Sequence, residues 1–106
     1  MWLLVTAIYL FNTPNQSLIC QAYGSVYEVN EPYLADLIIF EELSEVTADL
    51  LVYEQQNRLY ANKPGMWYFE DKKDFARFKI YFTPNKSEAD FIVYFTEFES
   101  FAGCSR

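Results

Sequence analysis

The sequence contains no histidine, and its basic residues are few. Lysine and arginine number 8 against 15 aspartate and glutamate residues, which gives a formal net charge of −7 over 106 residues. Nucleic acids and anionic membranes require a positive surface, so we expect no nucleic-acid partner. Histidine is the commonest general base and the commonest zinc ligand, so its absence removes most familiar catalytic and zinc-binding sets. We expect no cofactor.

Glycine and proline are also scarce, with 3 and 4 residues, whereas hydrophobic residues reach 52% and aromatic residues 20%. That composition excludes disordered and collagen-like chains. A chain of this length forms one domain that buries about 60–65% of the surface of the unfolded chain. The sequence therefore predicts a single folded domain with a substantial apolar core.

Charge is missing from the N-terminal segment, because the first charged side chain is Glu28. The opening run "MWLLVTAIYLF" suits the apolar region of a signal peptide and is too short to span a bilayer. The stretch Cys20-Gln21-Ala22 resembles a cleavage site. We predict that residues 1–22 are a signal peptide and that residues 23–106 form a secreted or periplasmic domain. The alternative is a retained N-terminal strand in a cytoplasmic protein.

The chain has two cysteines, Cys20 and Cys104. Cleavage after Ala22 would leave Cys104 without an intrachain partner. If the segment is retained, a Cys20–Cys104 disulfide could join the two ends, provided that the geometry allows it. Neither outcome corresponds to a disulfide-dense scaffold.

A repeat of about 13 residues runs through most of the chain. Its alanines are Ala35, Ala48, Ala61, Ala76, Ala89 and Ala102. Eight residues before each alanine stands an aromatic residue: Tyr27, Phe40, Tyr53, Tyr68, Tyr81 and Tyr94. One residue earlier stands a β-branched or aromatic residue: Val26, Ile39, Val52, Trp67, Ile80 and Val93. Six sound copies indicate one structural unit used six times.

Each unit predicts a short strand followed by a turn. Runs such as "DLIIFE" and "FKIYF" are nearly continuous apolar, β-favouring segments, typical of strands buried on both faces or nearly so. Polar segments such as "PNKSEA" are long enough for a turn with about one helical turn that ends at the alanine. The predicted fold class is mostly β, a compact single domain of about six strand-plus-turn repeats.

The repeat units, among them "LIIFEELSEVTAD" and "KIYFTPNKSEAD", closely resemble those of the septoil-knot family of small repeat proteins. The resemblance covers residues 24–103 and includes the two-residue expansion before Ala76, with Gly65 and Trp67 in place. It implies a compact, mostly β body whose backbone winds into a seven-crossing torus knot, and members often begin with a secretion signal. The family has no established function, so the resemblance implies none.

The chain departs from the family pattern at three positions. Leu34 and Thr47 stand where the family's acidic residue precedes the alanine, and Arg77 follows Ala76 where three other repeats have aspartate. These departures affect the detail of the turns rather than the predicted fold.

Carboxylates recur in two columns of the repeat. Glu28, Glu41 and Glu54 end three of the apolar runs, and Asp36, Asp49 and Asp90 directly follow three of the alanines. Stacked carboxylates can bind Ca²⁺, so the three aspartates are candidate metal ligands. In the alternative interpretation the carboxylates solvate the turns and discourage aggregation at strand edges, and the aspartates bond backbone amides.

The unit "NKPGMWYFEDKKD" departs most from the repeat. Pro64, Gly65 and Trp67 are candidate ligand-binding residues, because insertions in repeat proteins often mark a binding face and tryptophan is a favoured anchor. The alternative is core packing, since the Trp67 column elsewhere holds valine and isoleucine.

The function predicted from these observations is a non-enzymatic, exported structural or protein-interaction domain. A wound chain must make many nonlocal contacts in order, so we expect slow folding, slow unfolding and kinetic stability. The alternative is a small-ligand or Ca²⁺-binding module that uses the repeated carboxylates or the Trp67 unit. A protein partner is conceivable, and the sequence does not indicate an oligomeric state.

Overall fold

The computed structural model describes residues 19–104, so most of the predicted signal peptide, residues 1–18, lies outside the described residues. The strands are β1 (Gly24–Glu28), β2 (Leu37–Glu41), β3 (Leu50–Glu54), β4 (Met66–Phe69), β5 (Phe78–Phe82), β6 (Phe91–Phe95) and β7 (Gly103–Cys104). Short 3-10 turns separate them: η1 (Pro32–Leu34), η2 (Glu45–Thr47), η3 (Arg58–Tyr60), η4 (Lys73–Phe75), η5 (Lys86–Glu88) and η6 (Glu99–Phe101). The mostly β prediction with one strand and one helical turn per repeat is confirmed.

Local sequence explains why each turn begins and ends where it does. The side chains of Ser44, Asn57 and Asn85 each accept a hydrogen bond from the backbone N–H two residues later, which favours a turn over a continued strand. Every turn ends at the repeat alanine, whose N–H donates to the carbonyl of the first turn residue, as Ala48 does to Glu45 at 3.3 Å. The alanine then returns the chain to an extended conformation in every unit except the third, where Ala61 has a ψ of 66°.

Six parallel strands close into a ring in the order β1, β5, β2, β6, β3, β4. Strand β7 adds an antiparallel pair with the start of β3. In β2, the N-terminal half pairs with β5 and the C-terminal half pairs with β6. Ile39, in the middle of the strand, takes part in both pairings. No two consecutive parallel strands other than β3 and β4 are neighbours.

The ring order means that the chain travels around the body twice. Strands β1, β2 and β3 form the first circuit, and β5 and β6 of the second circuit are inserted between them. Sequential strands in ordinary folds are usually adjacent, so this interleaving is exceptional. It is the winding expected for a two-circuit torus knot.

The β-branched column of the repeat points into the centre of the ring. Its six members, Val26, Ile39, Val52, Trp67, Ile80 and Val93, are all 0% exposed. Trp67 is the largest of them and packs edge-on against Phe78 and Phe95, with ring centroids 5.6 and 6.2 Å away. Burial of this column supplies most of the apolar core.

The expectation of strands buried on both faces is only half met. The neighbouring aromatic column, from Tyr27 to Tyr94, is half-buried throughout, and in β2 only Ile39 is fully buried. The physical reason is that the outer face of the ring is covered by single 3-10 turns, which are too short to shield a whole strand.

Residues Ile19–Ala22 are packed into the domain. Ile19 is 2% exposed, and Cys20 forms a disulfide with Cys104, with the two Cα atoms 5.3 Å apart. The Ala22 carbonyl accepts hydrogen bonds from Trp67 Nε1 and from Gly65 N, each at 3.0 Å. The open question of cysteine pairing is thereby answered, and residues 19–22, which form no strand, lie against the Trp67 unit. Within residues 19–104, no helix is long and apolar enough to cross a membrane.

Candidate functional site: the joints between neighbouring turns

The six turns form a belt around the outside of the ring. Each turn lies against a strand of the other circuit, with the exception of η3, which lies against the next strand, β4. Because the strand order is known, the order of turns around the belt is η3, η4, η1, η5, η2, η6. We call the contact between two neighbouring turns a joint.

Joints are built from two equivalent positions of the repeat. One position is the first residue of each turn: Pro32, Glu45, Arg58, Lys73, Lys86 and Glu99. The other is the residue that directly follows each strand: Val29, Glu42, Gln55, Glu70, Thr83 and Thr96. The strand-following position is largely buried, so a polar side chain there needs a partner.

Three joints are closed by a polar pair at these positions. At the η3–η4 joint, Arg58 Nε lies 2.7 Å from the buried Glu70 Oε2, which has no other partner. At the η5–η2 joint, Lys86 Nζ lies 2.8 Å from Glu42 Oε2. At the η6–η3 joint, Gln55 Nε2 donates to Glu99 at 3.2 Å.

The Glu42 carboxylate also accepts a hydrogen bond from the Thr47 hydroxyl at 3.0 Å. The hydrogen bond from Lys86, together with that of Thr47, lowers the pKa of Glu42 from its ordinary value. The closed η5–η2 joint therefore holds an ionised carboxylate between a cation and a hydroxyl.

The η4–η1 joint is built differently. Its turn residue is Lys73, but the strand-following position holds Val29, which cannot pair with a cation. A cavity of about 400 Å³ opens here, lined by Tyr27, Glu28, Val29, Asn30, Leu34, Lys73 and Lys79. Neither lysine of this cavity forms an ion pair within residues 19–104. The joint thus presents unpaired charge beside an apolar wall.

A second cavity of about 460 Å³ lies beside the disulfide, between Pro64, Glu99 and Cys104. The structure separates the predicted ligand-binding trio at this point. Pro64 is exposed and lines the cavity, whereas Gly65 and Trp67 are buried. The indole N–H of Trp67 donates to the Ala22 carbonyl, and the side chain is fully buried, as the core-packing interpretation expects.

The predicted metal ligands bind backbone amides instead of one another. Asp49 Oδ2 accepts the N–H of Ile92 at 2.9 Å, and the Asp49 N–H donates to the Ile92 carbonyl at 2.7 Å. Asp36 makes the same double contact with Lys79, and Asp90 makes it with Ile38. These bonds link strands 43 to 52 residues apart, so the aspartates join the two circuits.

The three aspartates therefore lie at three different contacts between the two circuits, which we call seams, and they are not brought together. Within the part of the chain that the structure describes, no group of three or more His, Cys, Asp or Glu residues could hold a metal ion. Of the glutamate column, Glu28 lines the cavity of the η4–η1 joint, while Glu41 and Glu54 are exposed.

Arg77 replaces the aspartate in the fourth unit and acts in another way. Its N–H donates to the carbonyl of Ser25 at 2.8 Å and to the Ser25 hydroxyl at 3.1 Å. Its guanidinium lies over the ring of Tyr23, 4.3 Å from the centroid, and its aliphatic stem covers Gly24. The seam is thus retained by packing and cation–π attraction where the carboxylate is missing.

The belt also exposes large apolar side chains. They are Tyr33, Leu34, Leu43, Val46, Leu59, Tyr60, Phe75, Phe98 and Phe101, with exposures from 48% to 91%. The η5 turn contributes none of them. Phe98 and Phe101 pack on each other with ring centroids 5.3 Å apart, so they form one apolar surface.

The joint positions were not recognised from the sequence. The signal was present, since Arg58 and Lys86 occupy one column and Glu42 and Glu70 the other. Their pairing could not be read because partners lie 12 and 44 residues apart, and only the strand order shows which turns are neighbours.

Comparison with known proteins agrees with this architecture. The model of the septoil knot domain matches residues 19–105, a range that includes Ile19 and Cys20 as well as all six repeats. No curated protein and no solved structure shows significant similarity to the chain. On the family match and the two-circuit strand order together, the chain belongs to the septoil knot domain family.

Proposed function

We propose that the protein is an exported, kinetically stable, non-enzymatic domain that binds another protein through its belt of turns. The observation that carries the proposal is the exposure of large apolar side chains on the turns, which connect strands that are paired within the closed ring. Contiguous exposed apolar surface on a soluble domain marks an interaction site more often than chance.

The apolar side chains are concentrated in one sector of the belt. Five successive turns, η2, η6, η3, η4 and η1, together with the residues just before them, carry all nine, including the Phe98–Phe101 pair. The η5 turn, with Lys86, Ser87 and Glu88, is wholly polar. Aromatic residues in such a sector supply large contact area at low entropic cost, which suits them as anchors for a partner.

Kinetic stability follows from the way the ring is closed. Inner strands of one circuit are held between strands of the other, and aspartate bonds and the Cys20–Cys104 disulfide join the circuits and the ends. Local opening of a single repeat then requires several nonlocal contacts to break at once. Such a body presents its turns without the flexibility that invites proteolysis.

Export is supported by the disulfide, because disulfides persist in oxidising compartments and are rare in the cytosol. The apolar run at the N-terminus supports it as well. Cleavage after Ala22 would remove Ile19 and Cys20 from the folded domain. We therefore place any cleavage before Ile19, which shortens the predicted signal peptide.

A photo-crosslinking residue placed in the belt tests the interaction. We would introduce a photoreactive phenylalanine at Phe98 of the full chain and irradiate cells of the native host, with the same residue at Ser87 in the polar η5 turn as the matched control. A discrete adduct from Phe98 that is missing from Ser87 is expected. Absence of any adduct at Phe98, or the same adducts from both positions, would overturn the proposal.

A further inference from the structure

We propose that the cavity of the η4–η1 joint binds a small organic carboxylate with an apolar or aromatic body, whose carboxylate takes the place of the acidic side chain missing from that joint. The cavity lies in the belt and shares Leu34 with its apolar surface, but the inference does not depend on binding of a protein there. It rests on comparison of the joints with one another.

The repeat itself shows what the cavity lacks. Both other joints whose turn residue is a cation, Arg58 and Lys86, have a glutamate at the strand-following position, and the charged atoms meet at 2.7 and 2.8 Å. Lys73 is the third cation of that column, and the strand-following residue that lines the cavity with it is Val29. The scaffold is therefore shaped for a carboxylate between the turns, and at this joint alone among the three the strand-following residue does not provide one. The preceding residue, Glu28, lies at the cavity but forms no ion pair with Lys73 or Lys79 in the described part of the chain.

The lining of the cavity defines what else the ligand should carry. Lys79 adds a second cation, so the lining carries two positive charges against the one negative charge of Glu28 and attracts anions, although the whole chain has a net charge of −7. Tyr27, Val29 and Leu34 form an apolar wall that matches an aromatic or aliphatic body. Glu28 stands at the same cavity and would pair with an amino group, so an amino acid should bind better than a simple acid.

The volume agrees with a ligand of that size. A cavity of about 400 Å³ falls within the range of about 300–1,000 Å³ typical of small-molecule sites. The backbone beneath is fixed, because the Lys79 N–H and carbonyl both bond Asp36. A pre-formed site of this kind binds without first having to order its own residues.

The experiment uses the full chain and three probes that differ in charge. They are 3-phenylpropionate, L-phenylalanine and phenethylamine, titrated while backbone amide shifts are followed by NMR. We expect shifts of residues 27–34 and 73–79 with the first two probes, tightest with L-phenylalanine, and none with phenethylamine. Shifts with phenethylamine as strong as those with 3-phenylpropionate, or no shifts with either carboxylate, would overturn the proposal.

Substitutions at matched joints make the test specific. Val29→Glu supplies the missing acid and should weaken binding of 3-phenylpropionate by about tenfold or more, because the internal carboxylate occupies Lys73. Lys73→Met should weaken it by a similar factor and covers the case in which Val29→Glu does not fold. Lys86→Met removes the equivalent lysine of a closed joint and should leave affinity unchanged. Equal losses in Lys73→Met and Lys86→Met, or undiminished binding in a folded Val29→Glu protein, would contradict the assignment.

Discussion

The inner face of the repeats and the outer belt of turns obey different rules. On the inner face, six residues of one column are completely buried, and the column admits only valine, isoleucine and one tryptophan. On the belt, the first turn residue varies among proline, glutamate, arginine and lysine, and the neighbouring turn residues vary as well. The contrast indicates that the winding of the chain is fixed from within, which leaves the belt available for specific contacts.

Close backbone packing beside β3 and β7 can be tested at Gly65, where we expect the largest effect. Gly65 has a φ of 83°, and a Cβ there would overlap Gly103 N and the Leu51 carbonyl. Gly65→Ala should cost more than about 3 kcal/mol of unfolding free energy or prevent folding, since both backbone strain and overlap act. The measurement is the guanidinium midpoint after incubation long enough to reach equilibrium.

Gly103 provides the matched control for that substitution. Its φ is 130°, but the nearest atom to an added Cβ, the Pro64 carbonyl oxygen, is 3.8 Å away. Gly103→Ala should therefore show backbone strain alone, about 1–3 kcal/mol. A Gly65→Ala protein as stable as Gly103→Ala would mean that the crossing near Leu51 is not tightly packed.

How far the sequence predicts this fold depends on the range of the contacts involved. Ile39 could be assigned to the core and Ala48 to the end of a turn, because both assignments depend on a local period. The pairing of β1 with β4 and β5 could not be derived in this way, because a period does not say which copies are neighbours. Only the family resemblance pointed to the winding. For the same reason Asp49 was assigned to metal binding or to local amides, whereas its amide partner is Ile92 of the other circuit.

The aspartate bonds between the two circuits should have an intermediate effect on stability. Their loss should cost less unfolding free energy than Gly65→Ala and more than substitutions in the belt. Asp49→Ala leaves the half-buried Ile92 N–H without its acceptor, so we expect a loss of about 1–3 kcal/mol. Asp74→Ala removes the same charge from the exposed η4 turn and should change stability by less than about 0.5 kcal/mol. Chemical denaturation of both variants measures the difference. Equal effects would show that net charge, and not the seam bond, sets the stability of the Asp49 protein.

The smallest effect is expected in the belt, at the Lys86–Glu42 pair. Because Lys86 and Thr47 lower the pKa of Glu42 below 4.5 in the folded protein, the pair stabilises the fold fully above that unfolded value. Its contribution is lost as the pH falls through the lower, folded pKa. Lys86→Met should therefore reduce the melting temperature slightly at pH 7 and progressively less below pH 4.5, relative to Lys72→Met, which removes an exposed lysine without an ion pair. If the difference in melting temperature between the two variants is the same in acid as at pH 7, the Lys86 side chain acts through packing. The ion pair would then contribute nothing to the stability of the closed joint.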